Sequence, residues 1–482
     1  MQKLATDPAR DQQLRQLRDT NPVFRVEDAQ AAASGGAVRL TFRFTCGTTT
    51  FAPALDLTGL QPGEAARTAA PTAQRIIRAI AIVEAFSYWK AFCSPVIEIA
   101  PPPADPGEIA WWETFWPQAM GEFFYRNGID YTAPGFLSIT ASPGPAAEQA
   151  PAADAAAMRD TAPPMVMFSG GKDSLALTYA IRDGATDFFL YNPTEAQRSL
   201  AESLADGGRI IEARRRILPE LLALNAAGHP NGHTPYSAYL ALAALLAGYL
   251  RGTATVVAGN SRSDDEPNVS AYHGQPVNHQ WTKSHEYEAA LVRYRDQWLP
   301  GAPAYSSPLR PLYELQIINS LASHRDAYLQ TASCNRTKGN GWCRQCAKCA
   351  WVFLATSALF GHDLAVRKAG GDMLADPALT GLYEAMAGLN GDKPFECTGT
   401  EEEVRSAIQA ARQHGTGLPA LATCLRHPAV QAARPLDVVL KDWGQDDLLP
   451  EELNARVRRA AHLLRSLGTG PPPRHPHQEN AG

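Results

Sequence analysis

Apolar residues follow two different spacings in the first part of the chain. Residues 38–44 alternate apolar and polar side chains, which is typical of a strand with one buried face. An apolar stripe at helical spacing follows Pro71 and predicts a helix. That stripe consists of Ile76, Ile77, Ile80 and Val83. We therefore predict an N-terminal α/β unit over residues 1–137.

Aromatic residues are concentrated near the end of this unit. They are Trp111, Trp112, Phe115, Trp116, Phe123, Phe124 and Tyr125. Such a concentration is more often core than ligand site, because aromatic side chains bury large areas. Aromatic side chains also line ligand pockets, so the sequence leaves both interpretations open.

A second unit is predicted after a change of composition. Residues 138–164 are rich in Ala, Pro, Gly and Ser, which predicts a linker or long loop. From 165 to 333 the pattern is strand, glycine-rich loop, helix and strand, followed by a further helix and strand. The segments are 165–168, 169–174, 175–183, 187–191, 238–250 and 254–258. Strands that alternate with helices predict a doubly wound parallel sheet.

The C-terminal region is predicted to be helical over residues 361–467. Thr400, followed by Glu403, forms a capping-box pattern that marks the beginning of a helix. Residues 468–482 contain three consecutive prolines and are predicted to be disordered.

Length and composition narrow the class of protein. The chain has 482 residues, 45% of them hydrophobic, so two or three packed units are expected. A net charge of −5 does not favour a nucleic-acid partner, for which a basic balance is usual. The first residues lack the apolar core of a secretory signal, and the Ala-rich stretch 236–250 is too short for a membrane span. We expect a cytoplasmic protein with no nucleic-acid or membrane partner.

One glycine-rich loop carries the clearest chemistry in the sequence. It consists of Ser169, Gly170, Gly171, Lys172, Asp173 and Ser174. Glycines let backbone N–H groups approach a phosphate, and the beginning of a helix adds free N–H groups and positive dipole. Lys172 supplies a charge, the serines can donate hydrogen bonds, and Asp173 can hold Mg²⁺. The pattern predicts an ATP-binding loop.

The loop is not a Walker A motif. That motif needs glycine at position 166 and serine or threonine at position 173, where this chain has Val166 and Asp173. Transfer of the γ-phosphate is therefore disfavoured.

Half of the eight cysteines lie within sixteen residues. Cys334, Cys343, Cys346 and Cys349 have the spacing C-x8-C-x2-C-x2-C, in a predicted metal module over residues 334–360. Four thiolates at such short spacings suit a closed tetrahedral Zn²⁺ site with a structural role. An iron–sulfur cluster and a site without metal are the alternatives. The scattered cysteines are by default small buried hydrophobic residues; they are Cys46, Cys93, Cys397 and Cys424.

The glycine-rich loop resembles the signature of the PP-loop ATP pyrophosphatases, which include asparagine synthetase, tRNA-thiolating enzymes and 7-cyano-7-deazaguanine synthase. This resemblance implies a HUP-like domain that attacks the α-phosphorus of ATP, releases pyrophosphate and forms an adenylated intermediate. The cysteine spacing resembles the zinc site of the last of these enzymes. Gly259 and Asn260 follow a later strand, at the place of the second nucleotide loop of these enzymes. The acidic residues 264–266 either assist Mg²⁺ or form a solvated loop.

Further segments are similar to the MurL family of ATP-dependent UDP-N-acetylmuramoyl-L-alanyl-L-glutamate epimerases. They are residues 121–127, 169–174, 231–235, 259–263, 277–284, the cysteine group and 393–397. Ser261 stands where an acidic residue is expected, which argues against a metal ligand at that position. The resemblance implies epimerisation of the terminal L-glutamate of UDP-MurNAc-L-Ala-L-Glu through an acyl-adenylate, for peptidoglycan precursor synthesis. It also implies AMP and pyrophosphate as products and functional coupling to a MurD-type ligase.

Epimerisation needs a base and an acid at the glutamate α-carbon, and the sequence offers two candidate pairs. His279 and Lys283 are four residues apart, so a helix would place them on one face. Glu396 and Cys397 form the second pair, since a carboxylate or thiolate can accept a proton. Surface contact, phosphate or UDP binding and capping are the alternatives for these residues. His233 is predicted to shape the start of the following helix.

Two other classes of function remain open. One is a PP-loop enzyme that adenylates a nucleobase or a tRNA for amidation or thiolation, and tRNA would call for a basic surface. The other is a nucleotide sensor without catalysis, against which the intact loop with Asp173 argues. The N-terminal unit could bind substrate or serve self-association.

Overall fold

A computed structural model describes most of the chain. The described residues are 8–100, 105–142, 162–331, 333–334, 336–337, 341–414, 418–444 and 448–467, with side chains described as far as residue 460. Most of the predicted linker and the predicted disordered tail at 468–482 lie outside these ranges.

The strands form one large mixed sheet and a separate two-stranded hairpin. In chain order the strands are β1 (Val23–Ser34), β2 (Ala37–Cys46), β3 (Thr49–Phe51), β4 (Ala54–Thr58), β5 (Val96–Ile99), β6 (Ser138–Ala141), β7 (Met165–Met167), β8 (Asp187–Tyr191), β9 (Ile210–Arg215), β10 (Thr255–Val257), β11 (Val269–Tyr272), β12 (Gln275–Val277) and β13 (Ala304–Ser306). The large sheet has the order β13-β10-β7-β8-β9-β4-β2-β1-β5-β6, with β3 paired to β2, and β11 pairs with β12.

Helices cover the sheet and make up the C-terminal region. They are α1 (Pro8–Thr20), α2 (Pro62–Ala65), α3 (Pro71–Trp89), α4 (Pro106–Ala119), α5 (Gly121–Asn127), α6 (Lys172–Ile181), α7 (Glu195–Ala205), α8 (Pro219–Ala226), α9 (Tyr236–Arg251), α10 (His285–Trp298), α11 (Glu314–Asn319), α12 (Arg325–Gln330), α13 (Ala347–Phe360), α14 (His362–Ala369), α15 (Thr380–Met386), α16 (Glu401–Ala411), α17 (Pro428–Gln431), α18 (Leu436–Val439) and α19 (Glu451–Leu467). Among the described residues, no helix combines the length and apolarity needed to cross a membrane.

The alternating segment and the apolar stripe near the N-terminus form the predicted strand and helix. Every second side chain of β2, from Val38 to Phe44, is buried, and α3 begins at Pro71. Most of the predicted aromatic group also lies in the core, where the Trp89 and Trp116 rings meet edge to face at 5.1 Å. The core interpretation of these aromatics is therefore confirmed, with Trp111 packed against the cluster from its edge.

The second part of the sheet has the predicted alternation of strands and helices. Strands β13, β10, β7, β8 and β9 are parallel neighbours. The antiparallel pairing of β4 with β9 then joins this parallel part to the N-terminal strands in one continuous sheet. The segment predicted as a linker begins with strand β6, which pairs with β5. The division of the chain into domains stays a prediction.

The C-terminal helices pack on one side of the parallel strands. A second apolar cluster there combines Val166 and Leu175 with Trp351 and Leu354 of α13. The predicted capping box opens α16: Glu403 N–H donates to Thr400 Oγ1 at 3.1 Å, and Thr400 N–H donates to Glu403 Oε2 at 2.8 Å. Such a cap contributes about 1 kcal/mol to helix stability.

Candidate functional site

The glycine-rich loop joins the end of β7 to the beginning of α6, as predicted. Gly170 has φ +70°, and a Cβ there would lie 2.6 Å from Gln197 Cγ, so only glycine fits. Gln197 Nε2 in turn donates to the Ser169 carbonyl at 2.7 Å. The loop is therefore held in a defined shape by α7.

The loop has internal hydrogen bonds, and no side chain caps the beginning of α6. Ser174 Oγ accepts from Ser169 N–H at 3.3 Å and donates to the Gly171 carbonyl at 3.1 Å. Gly171 is the N-cap residue and offers no side chain to the first-turn N–H groups. Those N–H groups and the helix dipole favour an anion at this position.

Lys172 is buried between two carboxylates. Its Nζ lies 2.6 Å from Asp173 Oδ1 and 3.0 Å from Glu314 Oε2, and Glu314 also accepts from the Trp351 indole N–H. Burial acts to lower the pKa of Lys172, but Asp173 and Glu314 outweigh it and hold that pKa above its ordinary value. The ammonium is therefore charged. Glu314 was missed at the sequence level because nothing near it in the chain marks it.

A second loop lies directly against the first. Strands β7 and β10 are hydrogen-bonded neighbours, so the loops after them emerge at the same edge of the sheet. A Cβ on Gly259 would lie 3.1 Å from the Asp173 carbonyl carbon. Asn260 Nδ2 donates to Ser307 Oγ at 3.0 Å, beyond the end of β13. The two segments singled out for nucleotide binding are thus brought together.

The acidic residues after this second loop are all engaged with protein groups. Asp264 Oδ2 accepts from Ser261 N–H at 2.7 Å, Asp265 Oδ1 accepts from His285 N–H at 2.7 Å, and Glu266 pairs with Lys393 at 2.9 Å. Burial raises the pKa of Asp264 to about 6. Asp264 is buried, whereas Asp265 is exposed, so only part of this segment fits a solvated acidic loop.

Three of the residues singled out for proton transfer meet at one point. Lys283 Nζ lies 3.4 Å from Cys397 Sγ, and the imidazole of His279 interacts with the same sulfur. His279 and Lys283 do not share an α-helix, because the chain between them forms only a short 3-10 turn over Trp281–Lys283. The two side chains converge through this turn instead. All three residues are half-buried, so a ligand can reach them.

Mutual electrostatics set the charge of this group. Burial acts to raise the pKa of Cys397, but Lys283, Lys348 and His279 outweigh it and lower that pKa to about 5. Burial acts to lower the pKa of His279, yet its contacts with Cys397 and Glu122 raise it to about 9. The arrangement near neutral pH is therefore a thiolate beside two cations.

Two residues without a predicted role here complete the cluster. Glu122 Oε2 accepts from Nδ1 of His279 and lies 3.3 Å from Nδ1 of His233. Burial and the charge of His279 lower the pKa of His233 to about 4, so this second imidazole is neutral. His233 therefore contacts the cluster, in addition to preceding α9. We call Glu122, His233, His279, Lys283 and Cys397 the Cys397 cluster.

Glu396, the predicted partner of Cys397, faces elsewhere. Its Oε2 accepts from Lys348 N–H at 3.1 Å, and it interacts with Cys346 of the four-cysteine group. The chain bends at Glu396, whose N–H donates to the Pro394 carbonyl at 2.8 Å, and the pair is divided between two sites. Only Cys397 belongs to the cluster.

The glycine-rich loop and the Cys397 cluster are close enough to interact electrostatically. Burial acts to lower the pKa of Lys283, but Cys397, Asp264 and Asp173 outweigh it and hold that pKa above its ordinary value. Asp173 belongs to the loop and Lys283 to the cluster. We therefore treat the two as parts of one candidate site.

The four-cysteine group is assembled as predicted. The sulfurs of Cys334, Cys343, Cys346 and Cys349 all lie within 4.8 Å of one another, and all four are free thiols. Cys343 Sγ and Cys349 Sγ are 3.9 Å apart, close to the roughly 3.8 Å edge of a tetrahedron with Zn–S bonds of about 2.3 Å. Cys346 and Cys349 share a hydrogen bond that lowers the pKa of Cys346 to about 4 and raises the pKa of Cys349 above its ordinary value. Metal binding would replace the remaining thiol protons. The donor set fits a zinc ion.

Comparison with known proteins gives a consistent result. The family model of the MurL N-terminal domain matches residues 15–307, and that of the MurL C-terminal domain matches residues 330–427. A protein of Salinispora tropica is 33% identical over 337 residues, covering 69% of this chain and 72% of the relative. One from Micromonospora sp. is 33% identical over 338 residues, covering 69% and 73%. One from Xanthomonas oryzae pv. oryzae is 31% identical over 346 residues, covering 70% and 75%. All three bear the name UDP-N-acetyl-alpha-D-muramoyl-L-alanyl-L-glutamate epimerase.

Proposed function

The chain belongs to the MurL family, and we propose that it converts the terminal L-glutamate of UDP-MurNAc-L-Ala-L-Glu to D-glutamate at the expense of ATP. The observation that carries the proposal is the Cys397 thiolate, flanked by His279 and Lys283, next to a phosphate-binding loop. An activated epimerisation requires a nucleotide site close to a proton-transfer site, and Asp173 of the loop is close enough to Lys283 of the cluster to interact electrostatically.

The need for ATP follows from the acidity of the substrate. The two epimers are nearly equal in free energy, so inversion needs no net energy input. A free carboxylate makes the adjacent C–H bond a very weak acid, because deprotonation would place a second negative charge beside the first. Conversion of that carboxylate to a mixed anhydride removes the first charge and allows an enolate to form.

The nucleotide half of the reaction is assigned to the loop from Ser169 to Ser174 with Gly259 and Asn260. The first-turn N–H groups of α6 would bind the phosphates, and Asp173 would hold Mg²⁺, which neutralises phosphate charge. An α-carboxylate oxygen of the substrate attacks the α-phosphorus of ATP. The bond to the β-phosphate oxygen breaks, giving the acyl-adenylate and pyrophosphate. Lys172 keeps two carboxylates in place beside this reaction.

The proton half of the reaction is assigned to the Cys397 cluster. The Cys397 thiolate accepts the α-proton, and the C–H electron pair moves into the acyl carbonyl to give the enolate. The positive charges of Lys283 and His279 stabilise the negative charge of the enolate. A proton from water adds to the opposite face of the enolate and gives the D-configuration. A second water molecule then hydrolyses the mixed anhydride, which releases AMP and UDP-MurNAc-L-Ala-D-Glu with its α-carboxylate restored.

We propose zinc for the four-cysteine group, with a structural role. Cys346 is the N-cap residue of α13, which also carries Trp351, the hydrogen-bond partner of Glu314. A metal held by the group would fix the beginning of this helix, whose Trp351 is linked to Lys172 through Glu314. Elemental analysis with one zinc and no iron per chain is the expected result, and iron with inorganic sulfide would contradict the zinc assignment.

The decisive assay supplies purified protein with ATP, Mg²⁺ and UDP-MurNAc-L-Ala-L-Glu. Expected products are AMP, pyrophosphate and the D-epimer, with deuterium at the α-carbon when the reaction runs in D₂O. UDP-MurNAc-L-Ala, which lacks the glutamate, is the matched control and should release no pyrophosphate. ADP with phosphate, or inversion without ATP, would contradict the proposal. Adenylation of a nucleobase would favour the tRNA- or deazaguanine-type alternative.

The setting of the reaction follows from the same proposal. The substrate is a nucleotide-linked precursor of peptidoglycan, so we place the enzyme in the cytoplasm. A ligase of the MurD type would supply the dipeptide substrate by adding L-glutamate.

A further inference from the structure

Glu122 has both carboxylate oxygens occupied, and only 6% of its side chain is exposed. Oε1 pairs with Arg126 one turn further along α5. Oε2 accepts from Nδ1 of His279 and lies 3.3 Å from Nδ1 of His233. A buried carboxylate with this many donors stays ionised, and its partners indeed hold the pKa of Glu122 below its usual value despite burial.

The contact with Glu122 decides which nitrogen of His279 can act on Cys397. Since Nδ1 is bound to the carboxylate, Nε2 is the nitrogen left for the sulfur. The histidine backbone is fixed as well, because its N–H donates to Asn268 Oδ1 at 2.8 Å. Asn268 Nδ2 donates to the Pro394 carbonyl at 2.7 Å, which ties the same asparagine to the segment that carries Cys397.

We propose that Glu122 is a positioning residue for the epimerisation: it holds Nδ1 of His279 so that Nε2 is directed at Cys397. The inference rests on the proposed function. The order Glu122–His279–Cys397 is that of an activated cysteine, in which a third group orients the imidazole. During the reaction Cys397 gains the α-proton, whereas His279 keeps both of its protons and Glu122 stays a carboxylate.

The same side chains could in principle hold a divalent metal ion. Ligand atoms of Glu122, His233 and His279 lie within 4.8 Å of one another. Arg126, however, already occupies one oxygen of Glu122, and the charges of Lys90 and Arg126 both lower the pKa of His233. Lys283 adds a further cation beside Cys397. An environment this positive disfavours a metal cation and favours a hydrogen-bonded relay.

The test replaces the carboxylate with an amide of equal size, Glu122→Gln. The neutral amide should lower the proton affinity of His279 and so remove a cation from Cys397. We measure alkylation of Cys397 by iodoacetamide across pH, quantified by mass spectrometry on the peptide that contains it. The inflection of that profile should move upward by at least about one pH unit. Inversion of the substrate should slow at least about tenfold, while ATP–pyrophosphate exchange changes less than twofold.

Glu212→Gln is the matched control, because Glu212 is also a largely buried glutamate in an arginine pair and lies on β9, outside the cluster. It should leave the alkylation profile of Cys397 unchanged. Glu122→Asp keeps the charge and should give an intermediate shift, and it serves if the glutamine variant does not fold.

Three results would overturn the inference. An unchanged alkylation profile in both Glu122 variants would show that the carboxylate does not act through His279. Loss of one bound metal equivalent on Glu122→Gln would show a metal site instead. A shifted alkylation profile with an unchanged rate of inversion would show that the contact between Glu122 and His279 plays no part in the reaction. Because the alkylation profile needs no substrate, failure of the proposed function would appear separately, as wild-type protein that inverts nothing.

Discussion

The glycine-rich loop and the Cys397 cluster are built in opposite ways. The loop takes six consecutive residues from one strand–helix junction, and its shape depends on Gly170 and a contact with Gln197. The cluster takes its side chains from four separate segments, around residues 122, 233, 279–283 and 397. The two regions also differ in their arrangement of charges. At the loop a buried lysine lies between carboxylates, whereas in the cluster a thiolate lies between cations.

This difference suggests a division of labour that experiment can separate. A contiguous loop on a rigid junction is suited to bind phosphates, which are the same in every nucleotide substrate. An assembled cluster can be adjusted residue by residue to one substrate carbon. Changes in the loop should therefore stop both half-reactions, and changes in the cluster should stop inversion alone.

The largest effect is expected from Lys172→Ala. It removes the charge between Asp173 and Glu314 and leaves two carboxylates facing each other beside the phosphate site. We expect ATP–pyrophosphate exchange and inversion both to fall by about 10³-fold. The double variant Lys172→Ala/Glu314→Gln relieves the unpaired buried carboxylate. If the double variant recovers full exchange, the lysine serves the fold alone and the assignment to the nucleotide half is wrong.

Cys397→Ser should separate the two halves of the reaction. Serine keeps the size of the side chain but is not ionised at neutral pH, so no base remains to accept the α-proton. Inversion, and deuterium uptake from D₂O, should fall by about 10²- to 10³-fold, whereas ATP–pyrophosphate exchange stays within a few-fold of wild type. Retention of full inversion would remove Cys397 from the mechanism and leave His279 as the candidate base.

The two regions also differ in how far they can be predicted from sequence. The loop could be predicted because all its chemistry lies in one window, and the four-cysteine group could be predicted for the same reason. Glu314 and Glu122 could not, since their partners Lys172 and His279 are more than a hundred residues away along the chain. Only the fold brings them together.

The spacing of residues along the chain likewise predicted local elements but not contacts between distant segments. It predicted β2, α3 and the parallel order of β7 and β8, because each depends on the spacing of neighbouring side chains. It did not reveal how His279 and Lys283 meet, because a spacing of four would place them together on a helix and the chain makes a tight turn instead. It also could not show that β4 pairs with β9, which joins strands about 150 residues apart.

The pH dependence of inversion should carry the signature of the cluster. Cys397 is active as the thiolate, and Lys283, Lys348 and His279 lower its pKa to about 5, so activity is lost as pH falls through that value. His279 acts as the imidazolium, and its contacts with Cys397 and Glu122 raise its pKa to about 9, so activity is lost as pH rises through that value. The rate of inversion should be flat between these limits and fall about tenfold per pH unit outside them. ATP–pyrophosphate exchange measured across the same range should lack both limbs, and shared limbs would show that the two halves are not separable.

The smallest effect, and the finest test of the loop, is expected from Gly259→Ala. The added methyl group would lie 3.1 Å from the carbonyl carbon of Asp173 and 3.2 Å from its oxygen, so Asp173 must move by a few tenths of an ångström. We expect the KM for ATP in pyrophosphate exchange to rise by about 3- to 10-fold, because displacement of a positioning group weakens phosphate binding more than it changes later steps. Gly381→Ala is the matched control, since a methyl group there meets nothing within 4 Å. The alkylation profile of Cys397 should not change in either variant. A change in that profile on Gly259→Ala would mean that the loop and the cluster move together, and the division of labour between them would then be wrong.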